Sequence, residues 1–213
     1  MSTEQKERPI PFSSPMVRAI LEGRKTQTRR ILKGSKGFKG PYNPAYLEVH
    51  RNHPGWADVC PYGKPGDRLW VKEAYWAWGK WVPNGTTKGG RKAWRFVQVG
   101  TSIRYMDGNK PTATAKRDGE CGWVYRHGRF MPKTHSRLAR EITEVRVQRL
   151  QDISYEDIIA EGWVKNESIS SDPEVHHDAA RDWYMDLWES LNGSGSWSAN
   201  PWLWCVSFKV VQP

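Results

Sequence analysis

The stretch SPMVRAILEGRKTQTRRIL, residues Ser14–Leu32, decides how this chain is read. Its first half has the chemistry of a short helix. Ser14 suits a cap and Pro15 the first helical position, where a missing N–H is no loss. Met16, Val17, Ile20 and Leu21 recur at helical spacing, and Gly23 stands where a left-handed residue ends a helix. The second half is crowded: Arg24, Lys25, Thr26, Gln27, Thr28, Arg29 and Arg30 place four cations and two hydroxyls in seven residues. A β-prone segment so charged repels itself. It wants an anionic partner or a task, unless it is simply an edge strand whose charge resists aggregation.

Working outward, the formal net charge of the 213 residues is +10. That excess favours an anionic partner, with nucleic acid first, although a basic surface also serves solubility. Thirteen tryptophans exceed what one core of this size needs; some can be stacking platforms for bases, while most would fill a sheet-rich core. Three cysteines give no disulfide framework, and Cys205 falls within an apolar strand pattern. His50, His53 and Cys60 lack the spacing of a zinc site, so neither metal nor cofactor is expected. With no apolar run near the ~18 residues of a membrane span and no signal peptide, the expectation is a cytoplasmic chain. It shows no sign of an obligate protein partner.

Residues 1–8 read as a flexible tail and 9–213 as a single domain with insertions near 33–66, 79–92 and 107–140, all rich in Gly, Pro and basic residues. Strands are predicted over Arg68–Glu73, Trp94–Val99, Ile103–Met106, Glu141–Leu150 and Trp202–Val211, with a bulge between Ile142 and Val145. Ser154 and Gly162 bracket a helix at Tyr155–Glu161, with Ile153 stapled to Ile158. Asp172 caps a longer helix over Pro173–Leu191, whose buried stripe is Ala180, Trp183, Tyr184, Leu187, Trp188 and Leu191. His176 and His177, near its start, read as surface residues. The sum is an α+β domain, a small, partly closed barrel of five to six strands with two to three flanking helices.

GRKTQTR after a short helix, PGDRLWVKE, LQDISYEDIIAEG and the closing NPWLWCVSFKVV together resemble the ASCH domain family, whose fold is PUA-like and associated with RNA. The resemblance runs from Pro9 onward. Small members include an amidohydrolase that removes the acetyl group from N4-acetylcytidine, and it implies Lys25, Thr28 and Glu161 as the catalytic set. It equally admits a non-catalytic reader of RNA or modified nucleic acid, or a ribonuclease. The implied partners are a modified nucleoside, RNA or DNA.

The chemistry stands on its own terms. An acetamide needs a nucleophile, a base and positive charge where the oxyanion forms. Thr28 can supply the hydroxyl, and Lys25 the base if Arg24, Arg29 and Arg30 lower its pKa. If Lys25 instead stays charged, it is the oxyanion donor and water attacks. Glu161 would orient the lysine or handle the leaving amine's proton. Residues three apart on a strand face opposite ways, so Lys25 and Thr28 share a pocket only if Lys25 precedes the strand or a bulge intervenes. Arg24, Arg29 and Arg30, with Arg68, Trp70 and Lys72 on one face of a later strand, are the candidate ligand-binding residues; the latter three equally fit a wet sheet face.

Overall fold

The computed structural model describes residues 5–32, 44–108, 110–117, 119–166, 168 and 172–211. Among these residues it is an α+β fold of eight strands in two sheets. Five strands make the larger sheet: β1 (Glu7–Pro11), β2 (Gln27–Ile31), β3 (Arg68–Lys72), β7 (Ala139–Arg149) and β8 (Trp202–Val210), in the order β1-β3-β7-β8-β2. The smaller sheet orders β5 (Lys92–Tyr105), β4 (Tyr75–Thr86) and β6 (Gly122–Arg126) as β5-β4-β6. Five to six strands in a barrel were expected. Neither sheet closes on itself among the described residues, because β1, β2, β5 and β6 each end a sheet with one neighbour.

The chain divides into two compact units. One comprises Met1–Pro9, Arg18–Trp70 and Ala139–Pro213; the other comprises Ile10–Val17 and Val71–Leu138. In the first, β8 pairs with β2 on one side and β7 on the other, both antiparallel. Trp204, Cys205 and Val206 in its centre are wholly buried. The expected bulge is present as a register shift between Ile142 and Glu144.

One face of this sheet is covered by α4 (Tyr155–Ala160) and α5 (Pro173–Asn192) through a cluster of Leu150, Ile153, Ile158, Tyr184, Trp188 and Leu203. Each such fully buried side chain contributes about 1.5–3 kcal/mol. The helix ends follow the capping chemistry: Ser154 accepts from Asp157 N–H, and Asp172 from Glu174 N–H. Two residues of α5 depart from expectation. Leu191 is 52% exposed, because the last turn of α5 runs past the cluster, whereas His176 is buried.

Several segments read as irregular are structured. Of the tail, residues 1–4 lie outside the described ones, but Lys6 N–H donates to Asp67 at 3.0 Å and Glu7–Arg8 enter β1. Of the 33–66 insertion, 33–43 lie outside; the remainder forms α2 (Pro44–His50) and α3 (Trp56–Val59). Trp56 there is buried with its ring edge-on to Trp204, centroids 6.0 Å apart.

In the second unit, the 79–92 stretch holds the second part of β4 and the reversal of a long hairpin with β5. Asn84-Gly85 is a strand irregularity, and the reversal falls at 87–91, where Thr87 N–H donates to Arg91 O. The 107–140 stretch contains β6 and two 3-10 turns, Gly128–Phe130 and Lys133–His135. Tyr75, Ala77 and Met131 form this unit's core cluster.

Candidate functional site

The loop between α1 (Ser14–Leu21) and β2 delivers Lys25. Gly23, with φ +76°, ends the helix, and Arg24 and Lys25 N–H both reach Ala19 O. Thr26 is then fixed twice, its N–H donating to Ala160 O at 2.8 Å and its carbonyl accepting from Phe208. Lys25 therefore precedes the strand. Its side chain is buried, and Nζ donates to the Glu161 carboxylate and, at 3.0 Å, to the Glu161 carbonyl. Glu161 is the C-cap of α4. A carboxylate there opposes the helix dipole and an ammonium complements it, so the lysine settles both. Burial pulls the Lys25 pKa below its ordinary value, and Arg30 and Arg29 push the same way against Glu161.

Gln27 and Arg29 share one face of β2 and meet the same helix. Arg29 donates to Asp157 at 2.6 Å and to Gln27 at 2.5 Å, while Gln27 Nε2 donates to Asp157 at 3.1 Å. Arg146, from β7, adds a third donor to Asp157 at 2.5 Å. Burial alone would raise Asp157; Arg29 and the bonds from Arg146 and Gln27 outweigh it and hold the carboxyl below its usual value. Asp157 and Glu161 are four apart, hence on one side of α4.

The second oxygen of Glu161, Oε1, lies 3.6 Å from Arg29 Nη1 and is buried without a hydrogen-bond partner among the described residues. Two ionisable groups complete the surroundings. Burial raises Tyr184 well above its ordinary value and pushes the Cys205 thiol to about 11, and both interact electrostatically with Arg29 and Glu161. The thiol itself points to Gln148 Oε1 at 3.6 Å. A carboxylate with one oxygen clamped by an ammonium and the other lacking a hydrogen bond can accept a proton or an N–H. The flanking Lys25 and Arg29 can stabilise developing negative charge.

The structure thus brings Lys25, Arg29 and Glu161 together. Arg24 stands beside them, donating to Gly162 O at 2.7 Å and pairing with Glu22. Thr28 is buried but, by alternation, faces away from Gln27 and Arg29, paired with Val206. Arg30 shares that opposite face, near enough to Tyr62 to lower its pKa against the rise from burial. Arg68 and Trp70 lie on β3, separated from β2 by β7 and β8. Lys72 Nζ donates to Arg129 O at 2.5 Å.

Asp157, Arg146, Gln148, Tyr184 and Cys205 were not among the expected site residues. A local signal for two of them exists: Arg146 and Gln148 alternate with Val145 and Val147 in the second half of β7.

No group of three or more His, Cys, Asp or Glu is arranged to hold a metal ion among the described residues. His50 stacks on Tyr46, and His53 accepts from Gly55 N–H. A cavity of about 240 Å³, lined in part by Arg8, Asp58, Cys60 and Asp67, contains none of the Lys25–Glu161 cluster. No described helix is long and apolar enough to cross a membrane. Comparison with protein-family models, curated proteins and solved structures finds no match for this chain.

Proposed function

We propose that this is an amidohydrolase of the ASCH type, with a PUA-like arrangement of its larger sheet, acting on the acylated exocyclic nitrogen of a cytidine-type nucleoside. The observation that carries the proposal is the buried Lys25–Glu161 pair, whose second carboxylate oxygen faces Arg29 at 3.6 Å without a hydrogen-bond partner among the described residues. Of the mechanisms weighed from sequence, the geometry favours water over Thr28 as nucleophile, because Thr28 faces the other side of β2. Glu161 Oε1 takes a proton from water as the water oxygen bonds to the acyl carbon. Lys25 and Arg29 stabilise the oxyanion. The C–N bond then breaks, the proton passes to the leaving nitrogen, and cytidine and acetate depart.

Incubation with N4-acetylcytidine, followed by chromatography for cytidine, tests this. Glu161→Gln is expected to lower turnover about 100-fold or more, the scale of a lost general base. Thr28→Val is expected to retain most of it. Full turnover by Glu161→Gln, with its fold intact by circular dichroism, would sink the assignment.

The position of Thr28 also favours a second reading, a non-catalytic reader that holds the modified base without cleaving it. That reading is supported if acetylcytidine binds by calorimetry, binding needs Glu161, and no cytidine forms.

A further inference from the structure

The chain's excess charge is not spread over it. Residues of the second unit include 14 Lys and Arg against 4 Asp and Glu, and those of the first 19 against 19. The unit that holds Lys25 and Glu161 is formally neutral, and the unit that holds the smaller sheet carries the whole +10. Within that sheet the bias is sharper. Strands β4, β5 and β6 contain nine aromatic residues and five cations, and no acid.

Register separates the two faces. Tyr75 and Ala77 turn one way, into the core cluster with Met131, and Phe96, Ile103 and Tyr105 pack there too. Trp76, paired with Arg104 and Tyr125, and Trp78, paired with Trp123, turn the other way. On this second face the rings meet edge to face: Trp76 with Tyr125 at 5.7 Å, Trp78 with Trp123 at 5.4 Å. The Arg104 guanidinium lies over Trp123 at 4.7 Å. Tyr125 is 47% exposed, and Arg104 and Arg95 are exposed as well. Trp76 is buried and Trp78 and Trp123 are half-buried, while Tyr125 and the two arginines stand out into solvent.

We propose that this face of the smaller sheet is a binding platform for a single strand of nucleic acid, distinct from the Lys25–Glu161 cluster. Charge complementarity selects a polyanion, and the rings select one with flat faces to offer. A single strand has both, phosphates for Arg95 and Arg104 and unpaired bases for Tyr125 and its neighbours. An acidic peptide meets the charge and leaves the rings idle. A duplex presents phosphates while its base faces stay stacked inside. Phosphates and base faces are common to ribose and deoxyribose strands, so both should serve alike.

Fluorescence anisotropy of the full chain with labelled oligo-U and oligo-dT of about twelve nucleotides, a typical site length, and with a duplex of equal length, is the test. Both single strands are expected to bind at least about tenfold tighter than the duplex, with affinity falling steeply as salt rises. Tyr125→Ala should weaken binding about tenfold, within the range of one lost base stack. Arg104→Glu should do as much and flatten the salt dependence. Lys165→Glu, the same change of charge at an exposed site in the first unit, should change affinity less than about twofold. Four results overturn the proposal: no binding of either strand at low salt, a duplex bound equally well, Lys165→Glu matching Arg104→Glu, or Tyr125→Ala without effect. None of them depends on whether acetylcytidine is hydrolysed.

Discussion

The two units handle charge in opposite ways. The first is neutral and buries several of its ions: Lys25, Arg29, Arg140, Asp157 and Glu161 are each no more than 8% exposed. The second is strongly cationic and leaves most of its cations in water; its buried ion among the described residues is Glu73, bound through both oxygens by Arg137 at 2.9 Å. A cation count in sequence therefore has two meanings. In Arg24–Arg30, where the crowding asked for an anionic partner, α4 of the same unit supplies it through Asp157 and Glu161. Only in the second unit does the excess go unanswered by the chain itself.

That contrast can be broken most forcefully at Lys25. Lys25→Met strands the Glu161 carboxylate in the interior, and urea unfolding should show a loss of about 3–5 kcal/mol. Lys25→Met with Glu161→Leu should recover most of it, since an apolar pair carries no desolvation penalty. Singles that cost under about 1 kcal/mol would mean the pair is not desolvated.

Asp157→Asn comes next, at about 1–3 kcal/mol, because Arg29 loses the charge it is buried against. It also carries a pH signature. The folded carboxyl titrates below its unfolded value, so the stability it adds is fully present above about pH 4. That stability is lost as pH falls through the depressed folded value. Wild type should therefore lose stability in acid more steeply than Asp157→Asn, and unfolding midpoints between about pH 5 and 2 check this.

Gly162→Ala should cost about 1–2 kcal/mol. The residue sits at φ +111°, and an added Cβ would lie 3.2 Å from that of Ala19. The smallest effect belongs to the second unit. Lys88→Glu, on the exposed hairpin, should leave stability within about 0.5 kcal/mol. A slight gain at low salt, as self-repulsion falls, would sharpen the contrast.

Local chemistry was the legible part. Caps at Ser154 and Asp172, the staple of Ile153 on Ile158 and the phase break near Ile142 depend on near neighbours, and the structure has each of them. What escaped depends on distant ones. In Trp76–Trp81 rings crowd both faces of a twelve-residue strand, so no alternation marks it, and Gly79 invites a loop. There an added Cβ would lie 2.3 Å from Val97 O, so the glycine is demanded by the hairpin's close pairing. His176 looked solvent-facing because only the packing around α5 hides it. At the site, Lys25 and Arg29 share one contiguous motif, whereas Glu161 was named only through the family resemblance. Asp157 was not legible, since its meaning depends on Arg146, eleven residues earlier and on another element. Thr28 shows the limit of a contiguous motif: three residues beyond Lys25, strand geometry turns it to the other side.

The basic loop and the end of α4 hold their hydrogen bonds in common: Ala160 O receives Thr26 N–H, and Glu161 O receives the Lys25 ammonium. Neither end can fray alone, since releasing one strips acceptors or donors from the other. Amide exchange should accordingly report Thr26 and the last turn of α4 as one cooperative opening, slowed or hastened together by anything that occupies Glu161.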